Sequence, residues 1–282
     1  MPGHPGRRRV LRALHAIGLR SQRPFACRMS NGTWLAIRPE EGLLANETVG
    51  WTCFREGVWD PHVEACLRRT LLPGQTAIDV GANLGYMTAV MAQCVGPTGR
   101  VWAFEPVVET YELLELCRSL NDLPQVTPVP IALGAAHASI QITYDRRHSG
   151  IATMHPERVA GDVQDVEMRT LDALIAAGDV RRPDLIKIDV EGHELDVLRG
   201  ARDTIGEASP TLVFELNERA ATAAGWTLAD AAELLTSLGD YRFFLVDGDG
   251  EHPFDPFAFR LERDDRLDPH VDVLARPTGA LA

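Results

Sequence analysis

Short apolar runs alternate with amphipathic stretches over most of this chain. Residues 76–80, Thr-Ala-Ile-Asp-Val, sit between Pro73-Gly74 and Gly81. A short apolar run closed by turn residues predicts a strand buried on both faces. The pattern recurs at residues 100–104, 126–133, 184–190 and 211–216, and residues 241–246 and 271–275 finish as strands. Between them, residues 86–94, 108–120, 194–201 and 227–238 carry apolar side chains at helical spacing. A further helix is predicted over 60–72, where Val63, Cys66, Leu67 and Leu71 recur on one face before Pro73-Gly74. Strands alternating with helices predict an α/β fold, a mostly parallel sheet with helices on both faces.

Ahead of this core, residues 25–29 and 33–37 read as two strands joined by Ser30-Asn31-Gly32, a hairpin signal. Residues 1–24 are basic, with Arg7-Arg8-Arg9 in front of a short apolar stretch. Arg12, His15 and Arg20 interrupt that stretch, so it reads as a short helix rather than an export signal. The expected organisation is an N-terminal helix and hairpin cap over 1–55 and a Rossmann-like core over 56–282. Residues 145–165 and 247–270 break the rhythm and read as long loops.

The composition narrows the partners. The 282 residues carry 28 Lys+Arg against 40 Asp+Glu, a net charge of −12. Such a surface repels phosphate backbones, so nucleic acid is not an expected partner. Five cysteines are scattered with no C-x-x-C pair, which fits a reducing compartment and offers no zinc site. No run of 18 apolar residues suggests a transmembrane segment. A cytoplasmic location is expected, and nothing in the sequence opposes a homo-oligomer.

Candidate chemistry begins at Asp79-Val80-Gly81-Ala82-Asn83-Leu84-Gly85, where a strand turns into a helix. Glycine allows the tight turn and close approach of a ligand, and Asn83 tolerates positive φ. The helix that follows offers unpaired N–H groups. Glu105 ends the next strand, where a carboxylate accepts hydrogen bonds from ribose hydroxyls in dinucleotide folds. The spacing is not G-x-G-x-x-G, which argues against a nicotinamide oxidoreductase. An acidic residue at the turn suits a cationic ligand, and the sulfonium and α-amino group of S-adenosylmethionine fit.

Asp189-Val190-Glu191-Gly192-His193-Glu194 is the second signal. Two positions apart in an extended chain, Asp189 and Glu191 face one way, about 7 Å apart. Asp189, Glu191 and His193 are the catalytic candidates, Asp189 or Glu191 as base or as the group that positions an acceptor hydroxyl. Glu215 and Asn217, ending the following strand, and His148 in the long polar stretch are the substrate candidates. Converging carboxylates raise one another's proton affinity, which suits a general base. They also suit a polyol, with a divalent metal as the lesser reading. His62 and His155 read as surface residues. Trp51, Phe54 and Trp59 either wall the pocket or pack the cap onto the core.

Taken together and in order, these motifs resemble the FkbM family of class I methyltransferases. The matching residues are Asp79 to Tyr86, Phe104-Glu105-Pro106, Ile131 to Gly134, Thr170-Leu171-Asp172 and Ile186 to Glu194, with Leu198 and Gly200-Ala201 beyond. The likeness spans roughly residues 56–216 and fades on either side. It implies a seven-stranded sheet with a reversed final hairpin, and O-methylation of a hydroxyl on a sugar, glycolipid or polyketide-type natural product. By position, Asp79, Gly81, Ala82, Asn83 and Gly85 would line the methionine end of the cofactor, with Tyr86 next to them. Glu105, beside Pro106, would bind ribose, and Ala132 and Leu133 would lie near adenine. The acidic residue that many class I enzymes place after their third strand is absent, so adenine would be held by backbone and apolar contacts. An N-methyltransferase of a small metabolite and a non-catalytic cofactor-binding protein are the alternatives on the same fold.

Overall fold

The computed structural model describes residues 23–38, 49–145, 148–153, 161–259 and 270–279. The basic segment before residue 23, and His155, lie outside the described residues. A hairpin comes first, β1 (Phe25–Arg28) antiparallel to β2 (Trp34–Ile37), turning at Gly32 with φ 89°. Leu35 and Ile37 are fully buried in the same apolar cluster as the core helices. Helices α1 (Val49–Glu56) and α2 (Pro61–Thr70) lead into β3 (Thr76–Val80), all five residues of which are buried. The chain continues through α3 (Tyr86–Val95), β4 (Arg100–Phe104), α4 (Val108–Leu120) and β5 (Val126–Val129). Asn121 joins the hairpin to the end of α4: it accepts from Trp34 N–H and donates to Trp34 C=O, both at 2.7 Å.

Between β5 and the next parallel strand lies a second, small sheet. It comprises β6 (Ala132–Leu133), β7 (Ala138–Asp145), β8 (His148–Thr153) and β9 (Asp162–Arg169), in the order β6-β9-β7-β8. The remaining elements are α5 (Leu171–Ala176), β10 (Leu185–Ile188), α6 (Glu194–Gly200), α7 (Arg202–Ala208), β11 (Thr211–Asn217), α8 (Glu218–Ala223), α9 (Leu228–Leu238), β12 (Tyr241–Asp247), β13 (Gly250–Pro253) and β14 (His270–Pro277).

The main sheet has eight strands in the order β13-β12-β14-β11-β10-β3-β4-β5. Strands β11, β10, β3, β4 and β5 pair in parallel. β14 runs against β11, and β12 against β14, which gives the reversed hairpin. β13 pairs antiparallel with β12 and adds an eighth strand to the seven expected. It forms because Asp247 Oδ1 accepts from the Asp249 and Gly250 N–H groups, closing a tight turn inside the stretch 247–270 that reads as loop.

Two other expectations change. The run 126–133 is not one strand: Pro130 has no N–H to continue the ladder, and the chain leaves β5 for the second sheet. The stretch 145–165 is not wholly loop, since β8 and the start of β9 pair with β7 across it. The acidic residues Asp162, Asp165 and Glu167 dilute the apolar signal of β9, whose Val163 is exposed.

Apolar side chains alternate across the main sheet. Ile78, Val80, Phe104, Ile186, Ile188 and Phe214 pack with α6, α7 and α9. Ala77, Val101, Ala103, Leu185 and Val213 pack with α2 and α3. Among the described residues, no helix is long and apolar enough to cross a membrane.

Candidate functional site

A cavity of about 540 Å³ opens at the C-terminal ends of β3, β4, β10 and β11. Strand ends near the order reversal of an open α/β sheet are where such folds bind ligands. The chain builds its rim with turns that few residues can adopt. Gly81, Asn83 and Gly85 take φ of 79°, 50° and 88°. A Cβ on Gly81 would stand 1.8 Å from the Asp189 carbonyl oxygen, so this backbone crossing admits glycine alone. The Gly81 and Ala82 N–H groups both donate to the Phe104 carbonyl at 3.0 Å, which ties the turn to β4.

Glu105 braces that turn from below. Its Oε2 accepts from Asn83 N–H and its Oε1 from Val107 N–H, each at 3.0 Å. The carboxyl is buried, and burial pushes its pKa up to about 7. Each oxygen keeps a second lone pair for a ligand hydroxyl. Pro106, Ala132 and Leu133 lie on the same wall, joined by Ile140, Ile142, Ala152 and Met168 from the second sheet. That apolar patch comes from elements that the sequence pattern does not reveal.

Asp79 and Gly85 stand behind the wall rather than on it. Asp79 is fully buried; its Oδ2 accepts from the Thr88 hydroxyl at 2.6 Å and its Oδ1 lies 3.7 Å from Lys187 Nζ. Gly85 lets Leu114 and Cys117 pack against the start of α3. Tyr86 lines the cavity, and its hydroxyl donates to Glu64 and accepts from Asn31 Nδ2, linking the rim to the hairpin turn.

On the opposite wall stand Asp189, Glu191, His193, Glu215 and Asn217. Lys187 Nζ is 2.9 Å from Asp189 Oδ2, and the carboxylates of Asp189 and Asp79 raise the Lys187 pKa. Sequence reasoning missed Lys187; its sign is a cationic residue inside a run otherwise apolar, Leu185 to Ile188. Glu191 has φ 53° and Gly192 φ 102°, and Glu194 holds this bend by accepting from the Val190 and Gly192 N–H groups at 3.1 and 3.0 Å. Burial pushes Glu194 up to about 7. His193 is the N-cap residue of α6, with Nδ1 3.8 Å from Asp196 Oδ2. Asn217 Oδ1 caps α8, accepting from Ala220 N–H at 3.0 Å. His148 opens β8, and its side chain lies outside the described residues.

The inner end of the cavity is acidic. Burial and the neighbouring Asp189 and Glu191 carboxylates push Glu215 up to about 10. Burial, Asp272 and Asp189 push Asp60 up to about 6. Asp60 has φ 37° at the start of α2 and makes no side-chain cap there. His62 is not a plain surface residue: its Nε2 lies 2.7 Å from Asp272 Oδ2, a hydrogen bond that raises its pKa. Trp59 walls the cavity, whereas Trp51 and Phe54 stack on each other at 6.3 Å and Phe54 meets Phe25 edge-on at 5.7 Å. Among the described residues, no group of three or more His, Cys, Asp or Glu is arranged to hold a metal ion, so Asp189, Glu191 and Glu215 do not form one.

These shifts predict a pH dependence. A carboxyl whose folded pKa is raised stays protonated after its unfolded counterpart has ionised, so stability falls as pH rises through that window. Asp60 near 6, Glu105 and Glu194 near 7 and Glu215 near 10 place the fall from about pH 4 upward past pH 8, and the raised His62 acts in the same direction. The melting temperature is expected to be several degrees lower at about pH 8 than at about pH 5. A calorimetric scan across this range that rose with pH would contradict the assignment of buried, raised carboxyls.

The model of the methyltransferase FkbM domain matches residues 79–244. The chain belongs to the FkbM methyltransferase family. Its match in the family begins at Asp79, so the glycine turn, Glu105 and the Asp189–Glu194 bend all fall within it. Among curated relatives, a hexuronic acid methyltransferase, AglP, of Haloferax volcanii is 27% identical over 135 residues, covering 48% of this chain and 53% of that protein. Methyltransferase sdnD of Sordaria araneosa is 29% identical over 168 residues, covering 49% of this chain and 64% of that protein. Methyltransferase 1 of Beauveria bassiana is 27% identical over 158 residues, covering 49% and 63% respectively. The matches thus span from about half to just under two thirds of these relatives. A crystal structure of the FkbM methyltransferase of Methylobacillus flagellatus superposes with a TM-score of 0.48 at 21% identity, covering 75% of this chain and 50% of that one.

Proposed function

We propose that this protein is an S-adenosylmethionine-dependent methyltransferase that methylates a hydroxyl of a sugar, glycolipid or polyketide-type natural product. The observation that supports it is one cavity with a glycine turn and Glu105 on one wall and Asp189, Glu191 and Glu215 on the other. The residues present fit the cofactor. The crossing at Gly81 leaves no room for a side chain, Glu105 has lone pairs free for ribose hydroxyls, and the patch around Leu133 and Ile142 is apolar as an adenine site requires. S-adenosylmethionine supplies an activated methyl group on a sulfonium. The protein's own task is to orient the acceptor oxygen and take its proton. Lys187 fixes the Asp189 carboxylate at 2.9 Å, which suits Asp189 to orient a hydroxyl, with Glu191 as the second carboxylate on the same bend. A relative named for a hexuronic acid supports an acceptor with sugar-like hydroxyls.

Thermal-shift titration with S-adenosylmethionine, S-adenosylhomocysteine and NADH, each alone, tests the cofactor. A ligand at a hundredfold excess over its Kd adds about 2.7 kcal/mol. Stabilisation by both adenosyl ligands and not by NADH is expected; no response to either adenosyl ligand would sink the proposal. Asp189→Asn is expected to lower turnover by about a hundredfold or more while leaving cofactor affinity within about threefold. Near-normal turnover in that variant removes Asp189 from the mechanism.

A further inference from the structure

We infer that Asn217 is a specificity-determining residue: its side-chain amide donates to an oxygen next to the hydroxyl that is methylated, so the acceptor presents a vicinal diol, as a sugar does. This rests on the methyl-transfer reading and narrows its acceptor class to a carbohydrate.

Asn217 is the last residue of β11. Side chains alternate between the two faces of a strand. Leu212, Phe214 and Leu216 turn into the apolar cluster shared with α6, α7 and α9. Glu215 and Asn217 therefore turn the other way, and both line the cavity.

The cap of α8 fixes which end of the amide is which. The acceptor for Ala220 N–H, at 3.0 Å, has to be the side-chain oxygen Oδ1. The other end is then Nδ2, with two N–H donors. Nδ2 has no hydrogen-bond partner among the described residues, although Asn217 is only 8% exposed. Once an acceptor displaces water from the cavity, donors this far withdrawn from solvent are costly to leave unpaired, and an oxygen of the acceptor satisfies them.

The neighbours of Asn217 offer the reverse chemistry. Asp189, Glu191 and Glu215 line the same wall, and ionised carboxylates only accept. The Lys187 ammonium is engaged by Asp189 at 2.9 Å. A hydroxyl about to lose its proton belongs against a carboxylate. The adjoining oxygen, with its lone pairs free, suits an amide N–H. A neutral donor beside acceptors thus matches two adjacent hydroxyls, whereas an isolated hydroxyl on an apolar skeleton leaves Nδ2 unpaired.

Strand order separates this donor from the cofactor's half of the cavity. The glycine turn follows β3, Glu105 follows β4 and the apolar patch begins after β5, so the cofactor would lie across β3, β4 and β5. β11 stands on the far side of β10, two strands or about 10 Å from β3. The space in front of Asn217 is therefore left to the acceptor.

The test uses the full chain with S-adenosylmethionine, methyl glucoside and the monodeoxy methyl glucosides. The methylated position is located in the product by NMR. Removing the hydroxyl next to that position is expected to lower kcat/KM by about a hundredfold or more, because a site built to bond an oxygen rejects the analogue without it. Asn217→Ser and Asn217→Asp both keep an oxygen to cap α8, so both are expected to fold, and neither carries an amide donor. In each, the penalty for the missing neighbour is expected to shrink to about threefold. A residue that merely caps α8 would leave that penalty as it is in both variants, which overturns the inference. Equal kcat/KM in the wild type with and without the neighbouring hydroxyl overturns it too. So does a lack of transfer to methyl glucoside by a chain that S-adenosylhomocysteine still stabilises, an outcome that leaves the methyl-transfer reading standing. The S-adenosylhomocysteine shift is expected to persist in both variants; its loss there would place Asn217 in the cofactor site and also defeats the inference. Absence of that shift in the wild type defeats the methyl-transfer reading itself.

Discussion

Gly81→Ala is expected to abolish the thermal response to adenosyl ligands and to cost about 3 kcal/mol or more of stability. Two effects add. A non-glycine residue at φ 79° costs about 1–2 kcal/mol on its own. The new methyl would stand 1.8 Å from the Asp189 carbonyl oxygen and 2.9 Å from its carbon, a backbone contact that no rotamer change relieves. The turn cannot retreat freely, because Gly81 and Ala82 N–H both donate to the Phe104 carbonyl at 3.0 Å. Moving away forfeits these bonds, each worth about 1 kcal/mol, and moving β10 instead displaces Asp189. Gly85→Ala provides the internal control. There the nearest atoms are Leu114 Cδ1 at 2.9 Å and the Cys117 side chain at 3.1 Å, ends of side chains that can shift. Its loss is expected to be the smaller of the two, and the reverse order in denaturant melts would show that the Gly81 crossing is not the tight point.

The contrast explains which parts of this protein are legible from its residues. The turn is readable because its requirements are local: a buried strand, glycines at fixed offsets and a carboxylate at the end of the next strand all sit within residues 79–105. The parallel core is readable for a similar reason, since strands such as β3 and β10 are mostly apolar and buried along their whole length. The second sheet is not. β9 alternates acidic and apolar residues on a half-exposed surface, and its pairing with β7 is decided by contacts 18 to 30 residues away. Such a ladder leaves only a faint period-two signal. The carboxylates show the limit most clearly. Asp189, Glu191 and Glu215 announce themselves at strand ends, but Asp60 arrives from the start of α2, at the edge of a stretch that shows only helical spacing. Asp79 is the opposite case. It stands in the motif, yet the register Lys187 to Asp79 across β10 and β3 turns it away from the cavity and towards a buried cation. Only the pairing of the two strands reveals that partnership.

Lys187→Met is expected to be the most damaging single change on the acidic wall. Lys187 lies on a central strand between β3 and β11, its side chain 9% exposed, and its ammonium faces Asp189 at 2.9 Å and Asp79 at 3.7 Å. Methionine matches the length of the stem, so the loss is electrostatic rather than a cavity. Removing one partner of a buried ion pair costs about 3–5 kcal/mol, because the remaining charge has nowhere to go. Here two carboxylates remain. Asp79 is fully buried, and its Oδ1 loses the Lys187 ammonium that faces it at 3.7 Å. The variant therefore has a pH signature that a packing defect lacks. Burial already raises the proton affinity of Asp79, and without the ammonium that opposes this shift the folded state binds the Asp79 proton still more tightly than the unfolded chain does, so stability is regained as pH falls and lost as it rises. The gap in melting temperature between variant and wild type is expected to widen from about pH 5 to about pH 8. Adding Asp79→Asn to Lys187→Met should restore part of the loss, since the orphaned charge is removed together with its partner, a coupling of about 1–3 kcal/mol in a double-mutant cycle. Lys187→Arg is not expected to rescue, because a planar guanidinium does not replace a compact ammonium in a slot this enclosed. A pH-independent gap with additive double-mutant energies would mean that Lys187 only fills space. A widening gap with recovery in the double variant would mean that one buried cation sets the charge of both motifs, holding Asp79 behind the glycine turn and fixing Asp189 on the cavity wall.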